Sequence, residues 1–263
     1  DVVVMVLGEH GFQSGEGRSR ADIGLPGVQQ QLLETIYKEN PNIVLVLNNG
    51  RPLAIPWADA HIPAIVEAWH LGSQSGHAIA QVLYGDYNPS GKLPMTFPRS
   101  VGQSPIYYNH LRTGRPDKLD DDLVFWSHYS DEKVTPLYPF GHGLSYTTFE
   151  YSNLNATQNP GSSDIEVTVT VSNTGDRSGK EVVQLYIHDK VASVVRPVKE
   201  LKAFKMLSLE VGQSKTISFT LEDKTLGFYD NRGDWKVESG AFSIYVGGSS
   251  ATKLSTTINY QKE

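Results

Sequence analysis

A glycine-rich segment near the start of the chain contains the residues best suited to chemistry. It begins GEHGFQSGEGRSR, runs from Gly8 to about Gly24, and directly follows an apolar run. Glu16 stands between Gly15 and Gly17, and glycines on both sides let a backbone approach a ligand closely and leave the carboxylate unshielded. A carboxylic acid in this setting can protonate a leaving oxygen and later activate a water molecule, which makes Glu16 a candidate general acid/base.

The same loop holds weaker candidates, each with a purely structural alternative. Arg18 and Arg20 are suited either to contact substrate hydroxyl groups or to hold the loop together. His10 is suited to bind substrate. Its structural alternative, which Glu9 shares, is to form loop hydrogen bonds or a cap. A carboxylate in a glycine-rich loop, including Glu16, is itself more often simply solvated, so the local pattern alone leaves these alternatives open.

Other site chemistries are excluded by residue spacing. The glycines do not match G-x-G-x-x-G and no Gly-Lys-Ser/Thr follows, so a phosphate-binding loop is not predicted. The segment Gly72–Gly76 has Gln at the position where a nucleophile elbow needs Ser. The eight histidines are scattered with no H-x-x-x-H pair and there is no cysteine, so we predict neither a metal site nor a cofactor.

An alternation of strands and helices must position the loop. Such an order predicts a parallel sheet with flanking helices, part of an α/β sandwich, in which ligands bind at the carboxyl ends of the strands. The opening strand is expected to be buried on both faces. Because three strands are few for such a sheet, further strands are expected upstream of residue 1 or in another chain. The predicted elements are strand Val2–Leu7, helix Pro26–Glu39 with Val28, Leu32, Leu33 and Ile36 on its apolar face, strands Ile43–Leu47 and Ala64–Trp69, and helix Ser75–Leu83.

The second half of the chain changes to period-two alternation from about Phe149. Short strands separated by turns, without a cysteine pair, predict an all-β sandwich of the fibronectin type III kind. We therefore expect part of an α/β domain over residues 1–104, a long ordered connection over 105–148 with the acidic triplet Asp120–Asp122 as a solvated loop tip, and the β-sandwich over 149–263. The predicted strands are Ile165–Val171, Val182–Ile187, Leu201–Leu209, Lys215–Leu221 and Phe242–Val246.

Bulk composition excludes two further classes of protein. The 263 residues carry a net charge of −6 without clustered Lys and Arg, which argues against nucleic-acid binding. No apolar run approaches the roughly 20 residues that a membrane-spanning helix needs.

Four stretches in order carry a resemblance to a known family: GEHGFQSGEGRSRADIGLP, VLVLNNGRPLAI, VLYGDYNPSGKLPMTFPRSVGQSPIYYNHLRTGRP and PLYPFGHGLSYTTF. They resemble the C-terminal half of family 3 glycoside hydrolases, and most of all the bacterial periplasmic β-glucosidases. VSNTGDRSGKEVVQLYIHD and RPVKELKAF extend the resemblance through the fibronectin-like domain, so that it covers essentially the whole chain. One departure is Ser73-Gln74-Ser75, where related sequences carry an acidic or glycine-rich stretch; we expect a local effect only.

The resemblance implies a retaining, exo-acting enzyme, periplasmic or secreted, that hydrolyses terminal non-reducing β-D-glucosyl residues. In the family, a (β/α)8 barrel supplies the nucleophilic aspartate and most of the sugar pocket, and the α/β domain lends a loop with the acid/base. Motif position assigns that role to Glu16, not Glu9. The barrel and its nucleophile are not in this chain, so the chain alone is expected to be inactive and to work with the barrel in the same polypeptide or as a separate chain.

Two alternatives remain open on the sequence alone. One is a β-xylosidase of the same family, because the barrel builds most of the pocket that separates glucosides from xylosides. The other is a non-catalytic carbohydrate-binding or interaction module, which needs an exposed row of aromatic side chains. Aromatic and imidazole rings suited either to sugar contact or to packing are Trp57, Trp69, Tyr107, Tyr108, His110 and Tyr129, with packing expected for Trp69 in a buried strand and for Trp235.

Overall fold

The computed structural model describes residues 1–116, 124–159 and 161–262. The chain divides into two compact units, which we call the α/β unit (Asp1–Tyr87, Met95–Ile106 and His128–Tyr138) and the β unit (Asn88–Pro94, Tyr107–Ser127 and Pro139–Glu263). The acidic triplet at 120–122 lies outside the described residues. The boundaries predicted after residues 104 and 148 stay predictions. Within the described ranges, none of the helices combines the length and apolarity needed to cross a bilayer.

The α/β unit is built on a parallel sheet of three strands, which lie side by side in chain order. The predicted parallel sheet with accompanying helices is thus confirmed. Its elements are β1 (Val3–Gly8), α1 (Gln29–Glu39), β2 (Ile43–Asn48), α2 (Pro56–His61), β3 (Ala64–Glu67) and α3 (Ser75–Leu83).

Strand β2 lies at the centre of this sheet because its sequence, IVLVLN, places apolar side chains on both faces. Ile43, Leu45, Val46 and Leu47 are almost completely buried. The parallel register pairs Gly8 with Asn48 and Leu47 with Glu67. The carboxyl ends of all three strands therefore lie along one edge of the sheet, where a parallel fold places its ligands.

The prediction that the first strand is buried on both faces is wrong. Met5 is buried, but Val4 and Val6 are 50% and 60% exposed. Strand β1 is at the edge of the sheet, and its alternate side chains point to a face that the described residues leave uncovered.

Two predicted element boundaries also differ from the observed ones. The first helix begins at Gln29, because Pro26 accepts the Gln29 N–H in a turn and Gly27 has a φ of 59°. Val28 is consequently outside the helix and 73% exposed, so it is not part of an apolar helix face. The third strand ends at Glu67, because Trp69 has a φ of 52°, which extended backbone does not permit.

The β unit is a sandwich of two antiparallel sheets, as predicted. The elements of the β unit are β4 (Phe149–Gln158), β5 (Ile165–Asn173), β6 (Gly179–Asp189), β7 (Glu200–Leu209), β8 (Ser214–Leu221), α4 (Asp223–Leu226), β9 (Phe228–Tyr229), β10 (Trp235–Lys236), β11 (Gly240–Gly247) and β12 (Ser255–Tyr260). One sheet has the order β12-β11-β6-β7 and the other β4-β5-β8. Strand β5 alternates buried and half-buried residues along its whole length, the pattern of a strand with one face in a core.

The glycine that ends β1 is required by its surroundings. Gly8 has a φ of 128°, and a Cβ added there would lie 2.2 Å from the carbonyl oxygen of Asn48. We expect Gly8→Ala to lower the free energy of unfolding by about 2 kcal/mol or more, because both the backbone and the contact are strained. Gly11→Ala is the matched control, since a Cβ there meets nothing within 4 Å. Urea unfolding measures both, and equal losses would contradict this account.

Candidate active site

The glycine-rich loop leaves the carboxyl end of β1 and is held there by the neighbouring elements. The Glu9 N–H donates to the Asn48 carbonyl at 2.8 Å. The Gln29 side chain closes a two-way contact with Gly8, accepting from its N–H at 2.7 Å and donating to its carbonyl at 2.9 Å. The first residues of the loop are therefore fixed to both β2 and α1.

Glu9 is the buried anchor of the loop. Only 2% of its surface is exposed. Its carboxylate lies 2.8 Å from Nη1 of Arg20 and 3.0 Å from Nε of Arg51, and Nη2 of Arg20 donates to the Gly24 carbonyl at 3.1 Å. A buried carboxylate needs such pairing, and here two guanidinium groups from different parts of the chain supply it. Glu9 and Arg20 thus hold the loop together.

Arg51 extends this anchor to the tip of the loop. Its Nη2 donates to the carbonyl of Gln13 at 2.6 Å and to the carbonyl of Arg18 at 2.7 Å. These two carbonyls lie on either side of Glu16 in the sequence. One guanidinium therefore brings together the two ends of the segment that carries Glu16.

Glu16 itself is exposed. In the part of the chain that the structure describes, its carboxylate has no hydrogen-bond or ion-pair partner. Gly15 and Gly17 have φ values of 122° and 67°, a region that residues with a side chain rarely adopt. The flanking glycines thus permit a tight turn that presents this carboxylate outward, as the sequence pattern predicts.

The other two predicted site residues lie on the same loop. Arg18 is exposed, and its backbone carbonyl is the one that Arg51 binds. Nδ1 of His10 accepts the Phe12 N–H at 3.1 Å, and the two rings meet edge to face. This geometry matches the loop-bonding alternative for His10. Substrate binding by Arg18 and His10 stays a prediction.

A third carboxyl group lies at this edge, and sequence reasoning missed it. Glu67 ends β3, where it accepts the Trp69 N–H at 3.0 Å and an Asn49 Nδ2–H at 3.4 Å. Burial raises the pKa of Glu67 to about 7, although both hydrogen bonds oppose that shift. The signal for it is an acidic residue at the end of the apolar run AIVE, a position that lies inside the predicted strand Ala64–Trp69 and ends the observed one.

Asn49 connects this carboxyl group to the loop anchor. The residue is fully buried, and its Nδ2 also donates to the Arg51 carbonyl at 2.8 Å. Its Oδ1 has no hydrogen-bond partner among the described residues. The edge of the sheet therefore contains a continuous polar network from Glu67 through Asn49 to Arg51.

Two of the three aromatic candidates of the α/β unit, Trp57 and Trp69, pack against other rings. Trp57 stacks on His61 with ring centroids 4.4 Å apart, and Tyr37 meets it edge to face. Trp69 is half-buried against Phe97 and follows the strand, so its predicted place inside a buried strand is wrong. In the same unit, Tyr129 is exposed and its hydroxyl donates to the Gly102 carbonyl.

The aromatic candidates of the β unit are divided between packing and exposure. Tyr108 stacks on Phe140 at 4.4 Å, and its hydroxyl accepts the Leu201 N–H. Tyr229 and Trp235 are 67% and 51% exposed, but their rings are inclined at 70° and do not form a flat row. The remaining candidates, Tyr107 and His110, are exposed.

The buried anchor and the exposed carboxylate make opposite predictions for stability. We expect Glu9→Gln to lower the free energy of unfolding by about 2–4 kcal/mol, because two guanidinium groups lose a buried partner. Glu16→Gln alters an exposed group without partners, so its change is expected to stay within about 0.5 kcal/mol. Chemical unfolding of the two isosteric variants tests this contrast, and a larger loss for Glu16→Gln would refute it.

Glu67 predicts a specific pH dependence of stability. Between its ordinary pKa of 4.5 and its folded value of about 7, the folded protein keeps a proton that the unfolded chain has lost. This group's contribution to stability is therefore fully present below pH 4.5 and is lost as the pH rises through 7. We expect the free energy of unfolding of Glu67→Gln, measured relative to that of the wild type, to rise by about 1–3 kcal/mol from pH 5 to pH 8. Urea unfolding at both pH values measures it, and the exposed Glu39→Gln should show no such change.

Comparison with known proteins gives two family matches. Residues 1–146 match the glycosyl hydrolase family 3 C-terminal domain, and residues 181–250 match the fibronectin type III-like domain. The first match covers the sheet, the glycine-rich loop and all three carboxyl groups described above. The second lies within the β-sandwich.

Individual relatives agree with these matches. The chain is 46% identical to the periplasmic beta-glucosidase of Salmonella typhimurium, over 95% of this chain and 33% of that protein. It is 44% identical to a beta-xylosidase of Formosa agariphila, over 98% and 35%. The crystal structure of a beta-glucosidase from Listeria innocua in complex with isofagomine superposes with a TM-score of 0.93 at 42% identity, over 98% of this chain and 36% of that one. The chain thus spans about a third of the length of these proteins, and it belongs to glycosyl hydrolase family 3.

Proposed function

We propose that the chain is the acid/base-bearing part of a retaining, exo-acting β-glucosidase that acts on terminal non-reducing β-D-glucosyl residues. Glu16 is its general acid/base. The observation that carries the proposal is the contrast between two glutamates of one loop. Glu9 is buried in an ion pair with Arg20 and Arg51, whereas Glu16 is exposed between two glycines in left-handed conformations.

The proposed reaction has two steps. In the first, a nucleophilic carboxylate attacks the anomeric carbon while protonated Glu16 gives its proton to the glycosidic oxygen, and the carbon–oxygen bond breaks. In the second, the Glu16 carboxylate takes a proton from water, whose oxygen attacks the anomeric carbon and releases the sugar from the nucleophile. Retention of configuration requires the two carboxyl groups to lie about 5–5.5 Å apart.

The nucleophile belongs, in this proposal, to a (β/α)8 barrel that accounts for much of the remaining length of the relatives. Residues 1–104 then form part of the α/β domain, 105–148 a connection, and 149–263 the fibronectin-like domain. The chain without the barrel is inactive. The name of the Salmonella relative supports a periplasmic location for the whole protein.

A β-xylosidase is the second candidate, since the Formosa relative is almost as similar as the Salmonella one. The discriminating measurement is the ratio of kcat/KM for matched aryl β-glucosides and β-xylosides, with the full-length enzyme. A non-catalytic sugar-binding role has less support, because Tyr229 and Trp235 are steeply inclined to each other.

The role of Glu16 is tested by Glu16→Ala in the full-length enzyme. For an aryl glucoside with a poor leaving group, we expect kcat/KM to fall by about 10²–10⁴-fold, since that departure needs the proton. With an activated dinitrophenyl glucoside, the glycosyl-enzyme should still form, but its hydrolysis should be slow, so that it accumulates. Azide, which needs no general base, should restore turnover and release β-glucosyl azide.

Glu39→Ala is the matched control, because Glu39 is an exposed glutamate at the end of α1. It should behave as the wild type with both substrates. Wild-type rates for Glu16→Ala would remove this residue from the mechanism. A loss of equal size on both substrates, without azide rescue, would also contradict an acid/base role.

A further inference from the structure

We propose that Glu67 is a positioning residue for the acid/base loop, acting through Asn49 and Arg51 on the segment that carries Glu16. The inference rests on the proposed function of Glu16 and deepens it. Glu67 does not contact the reacting atoms in this account. It determines how the loop presents the group that does.

The connection consists of three successive contacts. Oε2 of Glu67 accepts from Nδ2 of Asn49 at 3.4 Å, and the same nitrogen donates to the Arg51 carbonyl at 2.8 Å. The Arg51 guanidinium then binds the carbonyls of Gln13 and Arg18. Because Asn49 is fully buried, its amide is held by the strand ends and cannot exchange these partners for water.

Glu67 also restrains the backbone on its other side. Its Oε1 accepts the N–H of Trp69, whose φ of 52° is unusual for a large side chain. Trp69 in turn packs edge to face on Phe97. The carboxyl group of Glu67 is therefore held between a strained residue and the buried amide, and a change in its hydrogen-bonding capacity reaches Asn49.

Protonation supplies such a change. A carboxylate offers only acceptors to Trp69 and Asn49, whereas the protonated form carries an O–H donor on one oxygen. The titratable or charged side chains on the neighbouring strand ends are Glu9, Arg51 and His70. Glu9 and Arg51 pair with each other, and Nδ1 of His70 lies 3.1 Å from Oδ1 of Asn48. Glu67 therefore faces an amide and a backbone N–H, without an ion-pair partner among the described residues, and its pKa is raised to about 7 by burial.

The test is Glu67→Gln in the full-length enzyme, which keeps the shape of the side chain and removes its titration. We expect kcat for the poor-leaving-group aryl glucoside to fall about tenfold, with KM unchanged within twofold. The dinitrophenyl glucoside should keep its rate of glycosyl-enzyme formation. The pH profile of kcat/KM for the first substrate should also lose an inflection near pH 7 that the wild type shows. A merely structural defect would lower both rates together and leave every inflection in place.

Asn49→Ser removes the amide that bonds both Glu67 and the Arg51 carbonyl. It replaces Glu67→Gln as the test if that variant yields little folded enzyme. It should produce the same selective loss, and Glu39→Gln should produce none. Equal losses on both substrates, or an unchanged pH profile in Glu67→Gln, would overturn the inference. Glu16→Ala separates the two proposals. If Glu16→Ala loses rate only on the poor-leaving-group substrate and Glu67→Gln shows no such selectivity, only the positioning role of Glu67 fails. If Glu16→Ala loses rate equally on both substrates, the proposed function of Glu16 fails.

Discussion

The buried carboxylate of Glu9 is the constraint on which the candidate site depends. A charge removed from water must be paired, and an isolated carboxylate in this position would cost several kcal/mol. Two guanidinium groups meet that requirement from different parts of the chain, 11 and 42 residues away. With its Nε on Glu9, Arg51 has its Nη2 placed to donate to the loop carbonyls of Gln13 and Arg18. The shape of the loop tip follows from the neutralisation of a charge at its base.

Three carboxyl groups at one edge of a sheet thereby acquire three different properties. Glu9 is buried and ion-paired, Glu16 is exposed, and Glu67 is half-buried beside neutral donors and has a raised pKa. The chemical identity of the group is the same in each case, so the differences come from surroundings alone. When glutamates of one site have such different surroundings, one can serve a structural role and another can transfer a proton.

Much of the fold is predictable from the sequence because the local spacing of apolar residues indicates the secondary-structure elements. The alternation in β5 and the continuous apolar run of β2 each indicate their strand without knowledge of any partner. Exposure on β1 is not predictable, since an edge strand and a central strand share the same valine-rich composition. Glu16 stands out through its glycines, although its role was assigned by resemblance to a family. The pairing of Glu9 with Arg51 leaves no local trace, and Glu67 looks like an ordinary strand residue until the buried amide beside it is known.

The uncovered face of β1 has a consequence for how the chain behaves at high concentration. Val4 and Val6 of β1, together with Val2 just before it, form an exposed apolar row at the edge of the sheet. An edge strand offers unpaired backbone groups, and an apolar row beside them favours self-association. Where nothing covers this face, rising protein concentration should drive the chains to pair through β1, so that self-association rather than unfolding limits the concentration of the folded monomer.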